Sequence, residues 1–194
     1  MRIELLGDSN YGGWLIDTHQ LNKKSIVYSF GVGDNISWDL EMIRRFDCTI
    51  HAFDPTPYSI QWIRHQTLPQ KFIFHPIGVS NFDGTQTFFS KRDIITNKNL
   101  SEWIFNGESS QLPVKKLSTL MAELGHRHID VLKLDIEGSE YKVLQNMQIA
   151  PQQILVEFHN KTSKRLHYPY VRLLLLGKGY KHVGHRGDDH LFVI

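Results

Sequence analysis

Short runs of apolar and β-branched residues alternate along the chain with segments whose apolar positions recur every three to four residues. Such runs are typical of strands buried on both faces of a sheet. The predicted strands are Ser25–Val32, Thr49–Phe53, Phe72–Val79, Ile129–Asp135 and Gln153–Phe158. Strands that alternate with helices predict an α/β fold, with a mostly parallel sheet and helices on both faces.

The segments between these runs predict amphipathic helices. Ser37 is placed to cap the first, which carries Asp39 and Glu41 in its first turn. Its inward-facing residues are expected to be Leu40, Ile43 and Phe46. Further helices are expected at 117–124, ended by Gly125, at 139–147, capped by Ser139, and at about 169–176. Two last runs, Tyr180–Gly184 and His190–Ile194, predict a hairpin.

The composition is that of a globular protein of one domain, spanning 1–194, with 41% hydrophobic and 22% charged residues. The formal net charge is +2 without a long basic block, so a nucleic-acid partner is not expected. The one cysteine, Cys48, excludes an internal disulfide and is expected to be a small buried residue. There is no signal-peptide core and no apolar run near the ~20 residues of a membrane span, so we expect a cytoplasmic protein without a membrane partner.

A strand, a glycine turn and a helix follow one another around Phe30-Gly31-Val32-Gly33-Asp34. Glycines let the backbone bend tightly and approach a ligand, and ligands of open parallel sheets bind at the carboxyl ends of the strands. Ile36 occupies the position of the third glycine in the dinucleotide fingerprint, so close packing against a pyrophosphate is not supported. The turn is interpreted as a ligand-binding turn, with an ordinary strand-to-helix turn as the alternative.

The next predicted strand ends in Asp54-Pro55. An acid about twenty residues beyond such a glycine turn is placed to accept hydrogen bonds from both ribose hydroxyls of an adenosine group. Pro55 then directs the chain out of the strand. A plain Asp-Pro turn is the alternative interpretation.

The charged residues between Lys133 and Glu140 are expected to have different roles. Lys133 falls in the middle of a strand covered on both faces, so it needs a carboxylate partner, for which Glu157 is the natural candidate. Asp135 is predicted at the strand tip and Glu137 in the loop beyond it, both on the ligand side of the sheet. Glu140 falls in the first turn of a helix, where a solvated acid interacts favourably with the helix dipole.

His159 is predicted at the tip of the neighbouring strand, beside Asp135. A histidine there can act as a general base or as a metal ligand. Two carboxylates and an imidazole from adjacent strand tips could also hold one divalent cation. The general base and the metal ligand both remain open.

Two other segments could contact a substrate. The hairpin carries a cluster of histidines and acids, for which a surface or structural role is favoured over a zinc site because a hairpin scatters side chains to both faces. These residues are His182, His185, Asp188, Asp189 and His190. If the penultimate strand is parallel to the others, His185 or Arg186 is placed to contact the substrate. The polar stretch 91–110, with its apolar island Trp103-Ile104-Phe105, is interpreted as a lid.

Several stretches resemble a known family. Leu112 to Leu117, followed by an amphipathic helix and then Asp130 to Glu140, resembles the core signature of FkbM-type methyltransferases. Val27 to Gly33 and Tyr11-Gly12-Gly13-Trp14 are similar to a branch described as methyltransferase-like, and the resemblance extends from about Tyr11 to the end. It implies a Rossmann-like class I fold, with a seven-stranded, mostly parallel sheet and an antiparallel C-terminal hairpin strand. It also implies S-adenosylmethionine as cofactor and O-methylation of a sugar or small natural product.

The same similarity implies a set of cofactor-binding residues. They are the glycine turn Gly31, Val32, Gly33 and Asp34, with Asp54, Pro55 and Asp135; Gly78 and Val79 beside the adenine; and Tyr11 and Gly12, in an N-terminal segment 1–24 that closes over the cofactor. Many class I enzymes carry an acid two residues before the first glycine, but this chain has Ser29 there. Asp34, Asp39 or Asp135 is expected to bind the cofactor's amino group instead.

The predicted reaction needs a base, because a hydroxyl is a poor nucleophile at neutral pH. His159 or Asp135 is the expected base, and Glu137 is expected to orient a glycan or small-molecule acceptor. A non-catalytic cofactor-binding module with the same fold is one alternative. An NAD-dependent oxidoreductase is the other, disfavoured by Ile36 and the terminal hairpin.

Overall fold

The computed structural model describes residues 1–89, 109–159 and 167–194. Its strands are β1 (Ile3–Leu6), β2 (Trp14–Asp17), β3 (Ile26–Phe30), β4 (Thr49–Phe53), β5 (Phe72–His75), β6 (Gly78–Ser80), β7 (Gly84–Phe89), β8 (Ser109–Lys116), β9 (Val131–Leu134), β10 (Gln153–Glu157), β11 (Lys181–Arg186) and β12 (Asp189–Val193). Its described helices are α1 (Ser37–Phe46), α2 (Pro57–Arg64), α3 (Leu117–Glu123), α4 (Glu140–Asn146) and α5 (His167–Gly177).

The main sheet has seven strands in the order β11-β12-β10-β9-β3-β4-β5. Neighbours from β10 to β5 are parallel, whereas β12 is antiparallel to both β10 and β11. The predicted α/β fold, with its mostly parallel sheet and antiparallel hairpin, is confirmed. Strand order reverses at β3, which lies between β4 and β9, so the ligand-binding end is expected where the carboxyl ends of these strands meet.

Side chains alternate along the strands and pack into two hydrophobic cores, one on each face of the sheet. On one face Tyr28 and Phe30 pack with residues of α3, α4 and α5. On the other face Val27 packs with Trp38 and Met42 of α1, with residues of α2, and with the N-terminal hairpin formed by β1 and β2. Each face of the sheet is thus covered, as a parallel sheet requires.

The predicted strand Phe72–Val79 is wrong, because it is two strands in different sheets. Pro76 follows β5, and proline has no N–H to continue a ladder. Phe72–His75 therefore ends the main sheet, while Gly78–Ser80 joins a three-stranded sheet of order β6-β8-β7.

Helix α1 differs from its prediction in two ways. It begins at Ser37, but the capping position is Ile36 and no side chain caps it; the Ser37 hydroxyl instead accepts a hydrogen bond from the Asp8 amide at 2.9 Å. Its buried residues are Trp38, Asp39 and Met42, whereas the predicted inward residues are only partly buried. Asp39, in the first turn of this helix, therefore faces the interior.

Other predictions fall into three groups. Val143, Leu144 and Met147 are buried as expected, and so is Cys48, whose thiol pKa burial raises to about 11. The predicted lid at 91–110 lies almost entirely outside the described residues. Among the helices that the structure describes, none is long and apolar enough to cross a membrane.

Candidate functional site

The carboxyl ends of the central strands open onto a cleft of about 630 Å³. Its walls are the N-terminal loop 10–14, the glycine turn 31–35, the start of α1, the tips of β4, β9 and β10, and the hairpin turn between β11 and β12. A volume of this size is in the range of small-molecule and cofactor sites.

The two glycines of the turn after β3, Gly31 and Gly33, have different structural roles. Gly31 has a φ of +86°, and a Cβ there would overlap the carbonyl oxygen of Asp135 at the end of β9. Gly33 has a φ of +55°, and a Cβ there would meet nothing within 4 Å. Gly31 therefore lets two strand ends pack together, while Gly33 presents bare backbone to the cleft.

Asp54 holds the glycine turn from the next strand. Its Oδ2 accepts hydrogen bonds from the amides of Val32 (3.0 Å) and Gly33 (3.2 Å) and from the Ser59 hydroxyl (2.8 Å). Its Oδ1 accepts from the amide and hydroxyl of Thr56, at 2.9 and 2.6 Å. The carboxylate is thus occupied by protein donors, and its predicted ribose contact stays a prediction.

The residues predicted beside the adenine lie apart from the cleft lining. Gly78 and Val79 are buried in β6, and a Cβ on Gly78 would come within 3.1 Å of the Pro55 ring. Pro55, Gly78 and Val79 are absent from the residues that line the cleft. Tyr58 does line it, and its hydroxyl donates a 2.8 Å hydrogen bond to Asp34.

The N-terminal loop closes one side of the cleft, where Tyr11 and Gly12 were predicted. The Asn35 side chain donates to the carbonyl of Tyr11 at 2.7 Å. Arg186, in the hairpin, donates to the carbonyls of Gly13 (3.4 Å) and Ser9. The penultimate strand is parallel to the others, so the hairpin turn faces the cleft as predicted for that case.

The strand tips bring His159 and several carboxylates together. Its Nε2 lies 3.8 Å from Asp135, 3.6 Å from Glu137 and 3.5 Å from Glu157. Asp135, Glu157 and His159 each offer one ligand atom, and these atoms lie within 4.8 Å of one another. The predicted neighbours Asp135, Glu137 and His159 are thus in one group, which Glu157 completes.

Glu157 is the member of this group that sequence reasoning placed elsewhere. Burial and the nearby Asp135 carboxyl raise its pKa to about 8. Burial and Asp135 also raise the pKa of Asp189, in the hairpin, to about 6. The signal was available, since Glu157 is the last residue of β10 and lies two positions before His159, at the same strand end.

Lys133 does not pair with Glu157 as predicted. It is buried, its ammonium lies 4.8 Å from the centre of the Trp14 ring, and it donates to the Gly31 carbonyl at 3.3 Å. Among the described residues, no carboxylate forms an ion pair with it. In the register of β9 and β10, Lys133 lies beside Leu155, which is two residues before Glu157.

Glu140 is also different from its prediction as a solvated acid. It is fully buried, and burial raises its pKa. Its carboxylate accepts hydrogen bonds from the amides of Gly138 (2.7 Å) and His159 (2.8 Å). The Tyr141 hydroxyl donates to the His159 carbonyl at 3.0 Å. Glu140 therefore joins the loop after β9 to the backbone of His159.

The hairpin histidines share one face, contrary to the prediction that they scatter. A bulge between His182 and Gly184 shifts the register. The rings of His182 and His185 therefore stack at 6.1 Å, and His190 lies 3.0 Å from His182. They are not part of the metal-ligand group found among the described residues, which consists of Asp135, Glu157 and His159. Their rings contact one another, and of the three only His190 is buried.

Comparison with known proteins agrees with this arrangement. Residues 1–172 match a family model described as "Methyltransferase domain". The chain is 28% identical over 158 residues to "Probable methyltransferase-like protein 24" of Homo sapiens and 27% identical over 158 residues to the Rattus norvegicus protein of that name. These alignments cover 78% of this chain and 36% of each relative, so the chain spans about a third of their length. The chain belongs to this family of methyltransferase domains.

Proposed function

We propose that this chain transfers the methyl group of S-adenosylmethionine to a hydroxyl oxygen of a sugar or small natural product. The observation that carries the proposal is the meeting of Asp135, Glu157 and His159 at the strand tips, in the same cleft as the glycine turn. The resemblance of residues 130–140 to FkbM-type enzymes supports an oxygen acceptor.

The cleft fits the cofactor that the family implies. Gly33 leaves open space where a ligand can approach the backbone. The indole Nε1 of Trp38 and the Oδ1 of Asp39 are buried without a hydrogen-bond partner among the described residues, and both side chains line the cleft. The remaining walls around it would be formed by Tyr11, Gly31, Val32, Asp34, Asp54, Thr56 and Tyr58.

When bound, S-adenosylmethionine supplies an electrophilic methyl group on a positively charged sulfur. His159 is placed to take the proton of the acceptor hydroxyl. The oxygen would then bond to the methyl carbon as the sulfur–methyl bond breaks and S-adenosylhomocysteine leaves. The carboxylate of Asp135 stabilises the imidazolium that results. The Glu157 carboxyl lies 3.5 Å from Nε2 of the same ring, and Glu137 orients the acceptor. Holding the reacting groups in line is the largest contribution expected of the cleft.

The same three side chains fit a divalent cation, because the carboxylates and imidazole are hard and borderline ligands at suitable spacing. In that case the cation would orient the acceptor oxygen. Assay after exhaustive chelation tests this hypothesis, which unchanged turnover would contradict.

Methyl-transfer assays across a panel of glycans and small hydroxylated metabolites test the proposal. Formation of S-adenosylhomocysteine is followed, and mass spectrometry locates the methyl group. We expect an O-methyl product, and a fall in turnover of about 100-fold or more for His159→Ala and for Asp135→Ala. Methylation on nitrogen or carbon, or undiminished turnover in both variants, would overturn it.

A further inference from the structure

The cleft has an inner pocket of buried polar groups beneath the glycine turn. Trp38, Asp39 and Lys133 all line the cleft, yet their relative exposures are only 1%, 3% and 5%. Trp38 Nε1 and Asp39 Oδ1 have no hydrogen-bond partner among the described residues. Polar groups buried to this extent are normally hydrogen-bonded, so each needs an explanation.

Lys133 is buried in the same pocket and carries a full positive charge. Its ammonium group contacts the carbonyl of Gly31 and the face of the Trp14 ring. Neither of these neutralises an ammonium group. The charge of Lys133 acts on the nearby Asp39 and Asp189 carboxyls, but among the described residues neither carboxylate forms an ion pair with it. A buried ammonium without an ion-pair partner is costly. An anionic group that enters the cleft would supply the missing partner.

Asp39 lies near Ser29, the position at which many class I enzymes carry an acid. Ser29, two residues before Gly31, is 1% exposed, and its hydroxyl has no hydrogen-bond partner among the described residues. Burial raises the pKa of the Asp39 carboxyl, while the charge of Lys133 and the nearby Ser29 hydroxyl act in the opposite direction. Asp39 is thus close to both, reaching the end of β3 from helix α1.

We propose that Asp39, Lys133 and Trp38 bind the amino-acid end of the cofactor. Asp39 faces its ammonium group, while Lys133 and the Trp38 indole N–H face its carboxylate. A zwitterion is the ligand that satisfies an acid, an ammonium and a free N–H in one pocket. This inference rests on the proposed function, and it makes Asp39 the substitute for the strand acid absent at Ser29. Asp34 is exposed and bonded to Tyr58, and Asp135 belongs to the strand-tip group.

Calorimetric titration with two ligands tests the inference without measuring activity. S-adenosylhomocysteine carries the amino-acid end, whereas 5′-methylthioadenosine lacks it. We expect Asp39→Asn and Lys133→Met to weaken S-adenosylhomocysteine binding by about 10- to 100-fold. Affinity for 5′-methylthioadenosine should change by less than about two-fold, since the adenosine contacts are untouched.

Asp47→Asn is the matched control. It makes the same substitution at the end of the same helix, at an exposed position outside the cleft, where the left-handed φ of 52° also suits asparagine. Both ligands should bind this variant as they bind the wild type. Failure of the wild type to bind either ligand would refute the proposed function itself.

Thermal unfolding of the unliganded variants shows whether weaker binding is caused by a loss of stability. Asp39→Asn removes a buried charge, so its melting temperature should equal or exceed that of the wild type. Loss of S-adenosylhomocysteine binding in a variant of undiminished stability supports the inference. Equal weakening of both ligands, unchanged binding of S-adenosylhomocysteine, or marked destabilisation by Asp39→Asn would overturn it.

Discussion

At the scale of single residues, burial separates the roles of the acids near the strand tips. Asp135 and Glu137 are partly or largely exposed and face the cleft, whereas Glu140 is fully buried and bonds two backbone amides. Glu137 has a φ of 53°, which is uncommon for a residue other than glycine. Neighbouring carboxylates in one short motif therefore differ in position: two face the cleft, and one supports the backbone beneath it.

Replacement of Glu140 by alanine should destabilise the protein. The Gly138 and His159 amides would lose their acceptor inside the protein, which costs about 1 to 3 kcal/mol for each buried group. Urea unfolding should show a loss of about 2 to 4 kcal/mol. Glu123→Ala, which removes an exposed ion pair with Lys115, is the control and should change stability by less than about 1 kcal/mol. Equal effects would contradict the support role.

Replacement of Glu157 by glutamine should change how stability depends on pH. Its folded pKa of about 8 exceeds the ordinary value of 4.5, so the wild type loses stability as pH rises between these values. The variant does not ionise there. The free energy of unfolding of the variant, relative to that of the wild type, should therefore increase from pH 5.5 to pH 8.5 by about 1 kcal/mol or more. This corresponds to ~2–4 °C in melting temperature.

Melting curves with a chelator present measure this difference. Glu123→Gln is the control, and its offset from the wild type should be the same at both pH values because that carboxylate is half exposed. An advantage of Glu157→Gln that shrinks as pH rises would show that the carboxylate is stabilised as an anion.

At the scale of elements, the N-terminal loop and the C-terminal hairpin meet over the cleft. The hairpin of β11 and β12 brings Arg186 to the N-terminal loop, while Asn35 and Ser37 hold that loop to the start of α1. Backbone carbonyls accept most of these bonds. The loop is therefore positioned by partners from distant parts of the chain.

Arg186→Met should loosen this loop selectively. We expect amide hydrogen exchange to accelerate by about 3- to 10-fold over residues 8–13, while the free energy of unfolding changes by less than about 1 kcal/mol. Mass spectrometry of exchanged peptides measures it. Arg44→Met, which removes an exposed contact to Glu41, is the control and should leave the loop unchanged. Unaltered exchange in Arg186→Met would contradict the contact.

At the scale of the whole molecule, buried histidines should set the acid limit of stability. His51 of β4 stacks on His75 of β5 and lies near His126. Burial, with these two histidines, lowers its pKa to about 4, below the ordinary 6.5. Stability is therefore complete above pH 6.5 and is lost as pH falls towards 4, because the unfolded chain binds protons first.

His51→Leu should reduce that acid sensitivity. Between pH 7.5 and pH 5 the wild type should lose about 1 to 2 kcal/mol more than the variant. Urea unfolding at both pH values measures this. His65→Leu is the matched control on the exposed end of α2, and it should leave the wild-type pH dependence intact. A variant as acid-sensitive as the wild type would assign the loss to other groups.

Sequence periodicity predicted the strands of the main sheet in their chain order and most of the helices between them, but not helix α2, Pro57–Arg64. It failed at Pro76, where one apolar run crosses from one sheet to another, and on α1, where the inward face carries an acid. Both failures arise because hydrophobic pattern reports average burial. It does not report which neighbouring sheet a strand joins, or which buried acid a functional site retains.

The sequence by itself determined the fold class and the strand-tip positions of Gly31, Asp54, Asp135 and His159. Local patterns encode strands, and the rule for parallel sheets brings their carboxyl ends together. Only the tertiary structure decided the partners of Lys133, Asp39, Glu140 and Glu157, since those contacts join segments far apart in the chain. Burial then sets the free energy of each charge, so carboxylates of the same type differ in pKa and in hydrogen-bond partners according to what packs around them.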